Sequence, residues 1–117
     1  MVAALVLTPA ELQVRLGRWE RLGTMQRDFA VPWDHIDSAR AISDMWRNIL
    51  GWRWPGIGVP HVVLIGRMVH RDGRDFCAIY MDRPGVILEM HDEPYRRLLI
   101  SAPGDVVQAI IQRVTQG

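Results

Sequence analysis

Residues 95–116 read Tyr95-Arg96-Arg97-Leu98-Leu99-Ile100-Ser101-Ala102-Pro103-Gly104-Asp105-Val106-Val107-Gln108-Ala109-Ile110-Ile111-Gln112-Arg113-Val114-Thr115-Gln116. In the first seven, Leu98 and Ile100 share one side of an extended chain, and Arg97 and Leu99 the other, which is the period of a strand. Pro103 then offers a helix-compatible φ where its missing N–H does no harm. Asp105 sets negative charge near the positive end of the helix dipole. Val106, Val107, Ile110, Ile111 and Val114 recur at spacings of three and four, leaving Gln108, Gln112, Arg113 and Gln116 on the opposite face. The stretch therefore predicts a last strand running into a C-terminal amphipathic helix. About 13 helical residues span about 20 Å. Such a helix can close one open end of a small sheet structure, so the preceding chain has to supply that sheet.

Working back from the helix, residues 86–90 form a strand with Val86, Leu88 and Met90 on one side. Residues 75–81 form another, and residues 62–70 a third that is apolar on both faces, as a well-covered strand is. Arg71-Asp72-Gly73-Arg74, Asp82-Arg83-Pro84-Gly85 and His91-Asp92-Glu93-Pro94 separate them as turns, Asp-Gly being a favoured pair for positive φ. Three successive hairpins followed by the helix predict an antiparallel meander. Near the start, Leu5-Val6-Leu7 and residues 12–16 flank Thr8-Pro9-Ala10-Glu11, a turn with proline at its second position. Residues 17–23 break the alternation. Residues 27–31 are again extended, with Phe29 and Val31 on one face, until Pro32 ends the pairing. Residues 36–42 make a weaker strand. Ser43-Asp44 can cap a short helix carrying Met45, Trp46, Ile49 and Leu50, with Gly51 as its stop. Trp52-Arg53-Trp54-Pro55-Gly56-Ile57-Gly58 holds too much proline and glycine for a regular element and reads as a loop.

The 117 residues suit one domain spanning residues 1–117, with about half of the side chains apolar and a net charge of +1. That charge carries no field that would select nucleic acid or an anionic membrane. Cys77 is the only cysteine. No intrachain disulfide can form, and a reducing cytoplasm is the expected compartment. Residues 2–7 are apolar but lack a basic flank and a small-residue cleavage pattern, so no signal peptide is expected. No run approaches the roughly 20 apolar residues that span a bilayer.

The chain resembles small bacterial pleckstrin-homology-like domain proteins of actinobacterial type. The resemblance rests on Leu7-Thr8-Pro9-Ala10-Glu11-Leu12, Trp19-Glu20, Val31-Pro32-Trp33, Trp54-Pro55-Gly56-Ile57-Gly58-Val59-Pro60, Gly66, Asp72-Gly73-Arg74-Asp75-Phe76 and the final strand and helix. It implies a mainly β domain of about seven short antiparallel strands, arranged as a barrel or orthogonal sheets capped by one C-terminal helix. It carries no catalytic residues. Two positions depart from the pattern. Ala102 stands where an acidic helix cap is expected, so that the cap comes from Ser101 or is lost, and His61 stands where a second glycine is expected.

Little in the sequence converges on chemistry. His61 and His70 face opposite sides of a regular strand, and His35 and His91 lie near turns without close His or Cys companions. No pair has the spacing that zinc sites use, so neither a metal nor a cofactor is expected. Cys77 falls mid-strand as a small packing residue. No phosphate-binding glycine loop and no Gly-x-Ser-x-Gly elbow is present, so an enzyme is not expected. Arg15, Arg18, Arg21 and Arg27 are interleaved with Glu11, Glu20 and Asp28, and Arg67, Arg71 and Arg74 are offset by Asp72 and Asp75, a mixed-charge surface that argues against lipid binding.

The tryptophan-rich segment is the sharpest feature. Trp46, Trp52 and Trp54 either fill gaps in a small core or form an aromatic patch rimmed by Arg47, Asn48 and Arg53. The candidate partner-binding residues are Trp46, Trp52, Arg53, Trp54 and Ile57. The expected function is a non-catalytic cytoplasmic module that binds a protein or a second copy of itself. The alternatives are a membrane-surface module for anionic lipid and a small enzyme with an unrecognised pocket.

Overall fold

The computed structural model describes residues 4–17, 28–48, 52–59, 63–81 and 83–116, with 52–59 as backbone. Residues 18–23 of the expected break at 17–23, residue 27 of the expected third strand, residues 49–51 of the expected short helix, His61, residue 62 of the expected strand at 62–70, and residue 82 of the expected turn at 82–85 lie outside the described residues.

Among the described residues the first sheet has three antiparallel strands, β1 (Ala4–Leu7), β2 (Glu11–Arg15) and β3 (Phe29–Pro32). Leu7 opposes Leu12 across the expected turn. Thr8 holds that turn from both sides. Its hydroxyl donates to the Glu11 carbonyl at 2.9 Å and accepts the Glu11 N–H at 3.1 Å. Leu12 and Val14 face the core while Gln13 and Arg15 face outward, as the alternation requires. A 3-10 turn, Trp33–His35, leads into β4 (Ile36–Ile42) and the second sheet.

Among the described residues the second sheet has six strands: β4, β5 (Trp52–Val59), β6 (Val63–His70), β7 (Gly73–Tyr80), β8 (Gly85–Met90) and β9 (Arg97–Ser101). Their order is β4-β8-β9-β7-β6-β5. This order corrects the expected meander. The β6–β7 hairpin forms with Gly73 at φ 138°, and β8 and β9 pair antiparallel. Beyond β7 the Arg83 N–H donates to the Tyr80 carbonyl at 3.3 Å. The expected turn at 82–85 does not join sheet neighbours, because β9 inserts between β7 and β8 and pairs in parallel with β7. The reason lies in β9 itself. Leu98, Leu99 and Ile100 are each fully buried, so the strand is apolar on both faces and belongs inside a sheet rather than at its edge.

A second correction concerns residues 52–58, which are not a loop but most of strand β5. A register shift between Arg53 and Gly56 absorbs Pro55, whose missing N–H is tolerable on an edge strand. The short helix expected after Ser43 appears among the described residues only as a 3-10 turn, Trp46–Asn48. Among the described residues the two sheets do not close into a barrel.

The larger core lies between the sheets and under helix α1 (Gly104–Gln116). Leu12, Val14 and Val31 from the small sheet meet Phe76, Leu88, Leu98 and Ile100 from the large one, with Val107 and Ile110 from the helix. Helix α1 packs on β4 and β8. Arg113, near its end, donates to the Pro9 carbonyl at 2.9 Å and lies 5.3 Å above the Trp33 ring. Ser101 does not cap the helix, because its hydroxyl accepts the Tyr80 N–H at 3.1 Å within the sheet. The opposite face of the large sheet carries a second cluster: Met45, Leu64, Met68, Cys77, Ile79, Ile87 and Leu99.

Candidate functional site

Four of the five predicted partner-binding residues sit on one edge strand. Trp52 opposes Val69, Arg53 opposes Met68 and Ile57 opposes Ile65 on β6, while Trp54 falls in the bulge between Arg53 and Gly56. Among the described residues no strand pairs with the other side of β5. An edge of eight residues left open in this way offers N–H and C=O groups that can pair with another chain. Trp46 is placed differently. Its indole N–H donates to the Met81 carbonyl at 2.7 Å, and its ring packs against the second cluster, so it is an anchor for the turn that crosses that face.

A buried polar network runs across β6, β7 and β9, behind this edge. Asp75 is fully buried and directly opposes Arg97 across the parallel β7–β9 pair. Arg97 donates through Nε at 3.0 Å and through a terminal nitrogen at 2.7 Å, both to Asp75 Oδ2. The other oxygen accepts from His70 Nε2 at 2.8 Å, and His70 Nδ1 accepts the Asp72 N–H at 3.2 Å. The carboxylate is thereby satisfied on both oxygens, which a buried charge requires. This burial corrects the expectation of a surface charge offsetting nearby arginines. The available signal was a lone acid opening the apolar run Phe76-Cys77-Ala78-Ile79, two residues from Cys77 and therefore on its face. Burial first, and Asp75 next, push the Cys77 thiol pKa well above its ordinary range, against a smaller lowering by Arg97. Cys77 is accordingly a packing residue without thiolate character.

The histidines are also rearranged relative to expectation. His35 and His91 are companions: their ring centroids are 5.5 Å apart, and the His91 N–H donates to the His35 carbonyl at 2.9 Å. Each ring is oriented by its own carboxylate, His35 Nδ1 by Glu93 and His91 Nδ1 by Asp37, both at 2.6 Å. The hydrogen bond to Glu93 raises the His35 pKa above its ordinary value, desolvation acting in the opposite direction.

One cleft gathers charge. About 280 Å³ in volume, it is lined by Arg67, Arg74, Glu93, Tyr95 and Phe29, among others. Phe29, Phe76 and Tyr95 cluster beside it in edge-on and tilted contacts with centroids 5.3–5.7 Å apart. Burial pushes the Tyr95 hydroxyl pKa up, partly offset by Arg67 and Arg74. Among the described residues no three His, Cys, Asp or Glu side chains come together as a metal site, and no helix is long and apolar enough to cross a membrane. No family model matches the chain, and no curated protein or solved structure is similar enough to match.

Proposed function

We propose that this domain is a non-catalytic cytoplasmic module that self-associates through β5, pairing antiparallel with the same strand of a second copy. The observation that carries this reading is the position of Trp52–Val59, an eight-residue strand rich in aromatic residues at the end of the large sheet. Antiparallel pairing about a two-fold axis satisfies the edge of both copies at once and closes the assembly at two subunits. The sequence of this strand includes Trp52, Trp54 and Ile57, which are large apolar residues, and the charged Arg53. Burying one large apolar side chain against a partner contributes about 1.5–3 kcal/mol, so a few such groups offset much of the cost of association.

The reading borrows from the pleckstrin-homology-like resemblance only two sheets and a C-terminal helix, since the parallel β7–β9 pair departs from an all-antiparallel plan. The test is analytical ultracentrifugation of the native chain and a Trp54→Lys/Ile57→Lys variant. The native chain is expected to dimerise at micromolar concentration and the variant to remain monomeric. A monomeric native chain, or a variant dimer of unchanged affinity, overturns the proposal.

The cleft beside Arg67, Arg74 and Tyr95 supports a second reading, a pocket for a small anionic ligand. Equilibrium dialysis with inorganic phosphate tests it, with Arg74→Ala as the control.

A further inference from the structure

We propose that His35 and His91 form a binding site for a divalent transition-metal ion of the zinc, nickel or copper type, held through their two Nε2 atoms. The site lies on the β4–β8 side of the large sheet, at the opposite end of the strand order from β5, and is independent of the self-association reading.

Three observations carry it. First, the backbone fixes the pair. Ile36 opposes Met90 in the β4–β8 ladder, and the His91 N–H to His35 carbonyl bond extends that pairing by one residue. Second, each ring has the support that metal-binding imidazoles typically have. Its Nδ1–H donates to a carboxylate, Glu93 for His35 and Asp37 for His91. That hydrogen bond selects the tautomer with its lone pair on Nε2 and raises the basicity of that atom. Neither Nε2 has a hydrogen-bond partner among the described residues, and the two side chains are 30% and 48% exposed. Third, the spacing fits. An imidazole nitrogen sits about 2.0–2.1 Å from zinc and about 1.2 Å from its own ring centre, so two rings on one tetrahedral ion stand about 5.2 Å apart. The observed separation is 5.5 Å.

Two protein nitrogens leave the remaining positions to water, which suits a borderline ion and not calcium or magnesium, whose ligands are oxygens. The pair escaped the sequence reading because zinc spacings describe ligands on one helix or one knuckle. Here strand pairing joins two distant segments.

The test is titration of the native chain with zinc against a chromogenic chelator, repeated with His91→Ala, His35→Ala, Glu93→Gln and Asp37→Asn. One equivalent is expected to bind at micromolar concentration. Each alanine variant is expected to lose at least tenfold in affinity, and each carboxylate variant about 10–100-fold. His91 is half exposed and its backbone makes the strand contact, so His91→Ala keeps the test decisive even where His35→Ala unfolds. Absence of one-to-one binding, or binding that His91→Ala leaves unchanged because zinc sits on His61 or His70, overturns the proposal.

Discussion

Asp75 and Arg97 face each other across the parallel β7–β9 pair of the large sheet, joined by two hydrogen bonds to a single carboxylate oxygen. Their pairing marks the place where β9 enters between β7 and β8, and His70 completes it from β6. Removing one member of a buried ion pair leaves an uncompensated charge. Asp75→Ala is therefore expected to cost about 3–5 kcal/mol in urea unfolding, whereas the double variant Asp75→Leu/Arg97→Met costs much less. A single variant within about 1 kcal/mol of the native chain would show that the carboxylate is not buried as described.

Ile110 is fully buried where α1 meets β4 and β8. Ile110→Asp places an unpaired charge among apolar neighbours and is expected to cost several kcal/mol. Deletion of residues 103–117 should leave no cooperative thermal transition. A truncated chain melting at the native midpoint contradicts the role assigned to the helix.

A methyl group added at Gly85 would run into the carbonyl oxygen of Ile100. Gly85 opposes Ser101 at the end of the β8–β9 ladder, where only glycine permits that approach. Gly85→Ala is expected to lower the thermal midpoint by several degrees, about 1–3 kcal/mol for an overpacked site. An unchanged midpoint argues against this register.

Cys77 should react with a thiol reagent in the folded state far more slowly than a model thiol. Burial keeps it neutral in the fold, and its ionisation is raised from an ordinary value of 9.0. The sign follows: only the unfolded chain ionises as pH rises past about 9, so Cys77 makes folding less favourable there, and Cys77→Ala should flatten that part of the stability profile. Fast labelling of the native chain would indicate an accessible, tuned thiolate instead.

The terminal strand and helix were legible because their two periods, two and then 3.6, follow one another without ambiguity in Leu98–Ile100 and Val106–Val114. The β1–β2 and β6–β7 turns were legible for a similar reason, since Thr8-Pro9 and Asp72-Gly73 restrict the backbone locally. The place of β9 was not read, although Leu98-Leu99-Ile100 already states that both faces are covered; a run of turns suggested a meander and outweighed it. Strand β5 was missed because Pro55 and Gly56 are penalised in a regular strand, and a bulge on an edge removes the penalty. The Asp75 network and the His35–His91 pair depend on which strands become neighbours. No local spacing encodes that.

The most direct measurement is backbone hydrogen exchange of β5 at protein concentrations below and above the association midpoint. Trp52–Val59, apart from Pro55, has amides on the ladder to β6 and amides facing the open edge. Pairing with a second copy predicts that the edge-facing amides become protected only at the higher concentration, while amides of β9, inside the sheet, stay unchanged. Exchange of β5 that is the same at both concentrations, or a dimer that forms with the edge amides still exchanging freely, would contradict it.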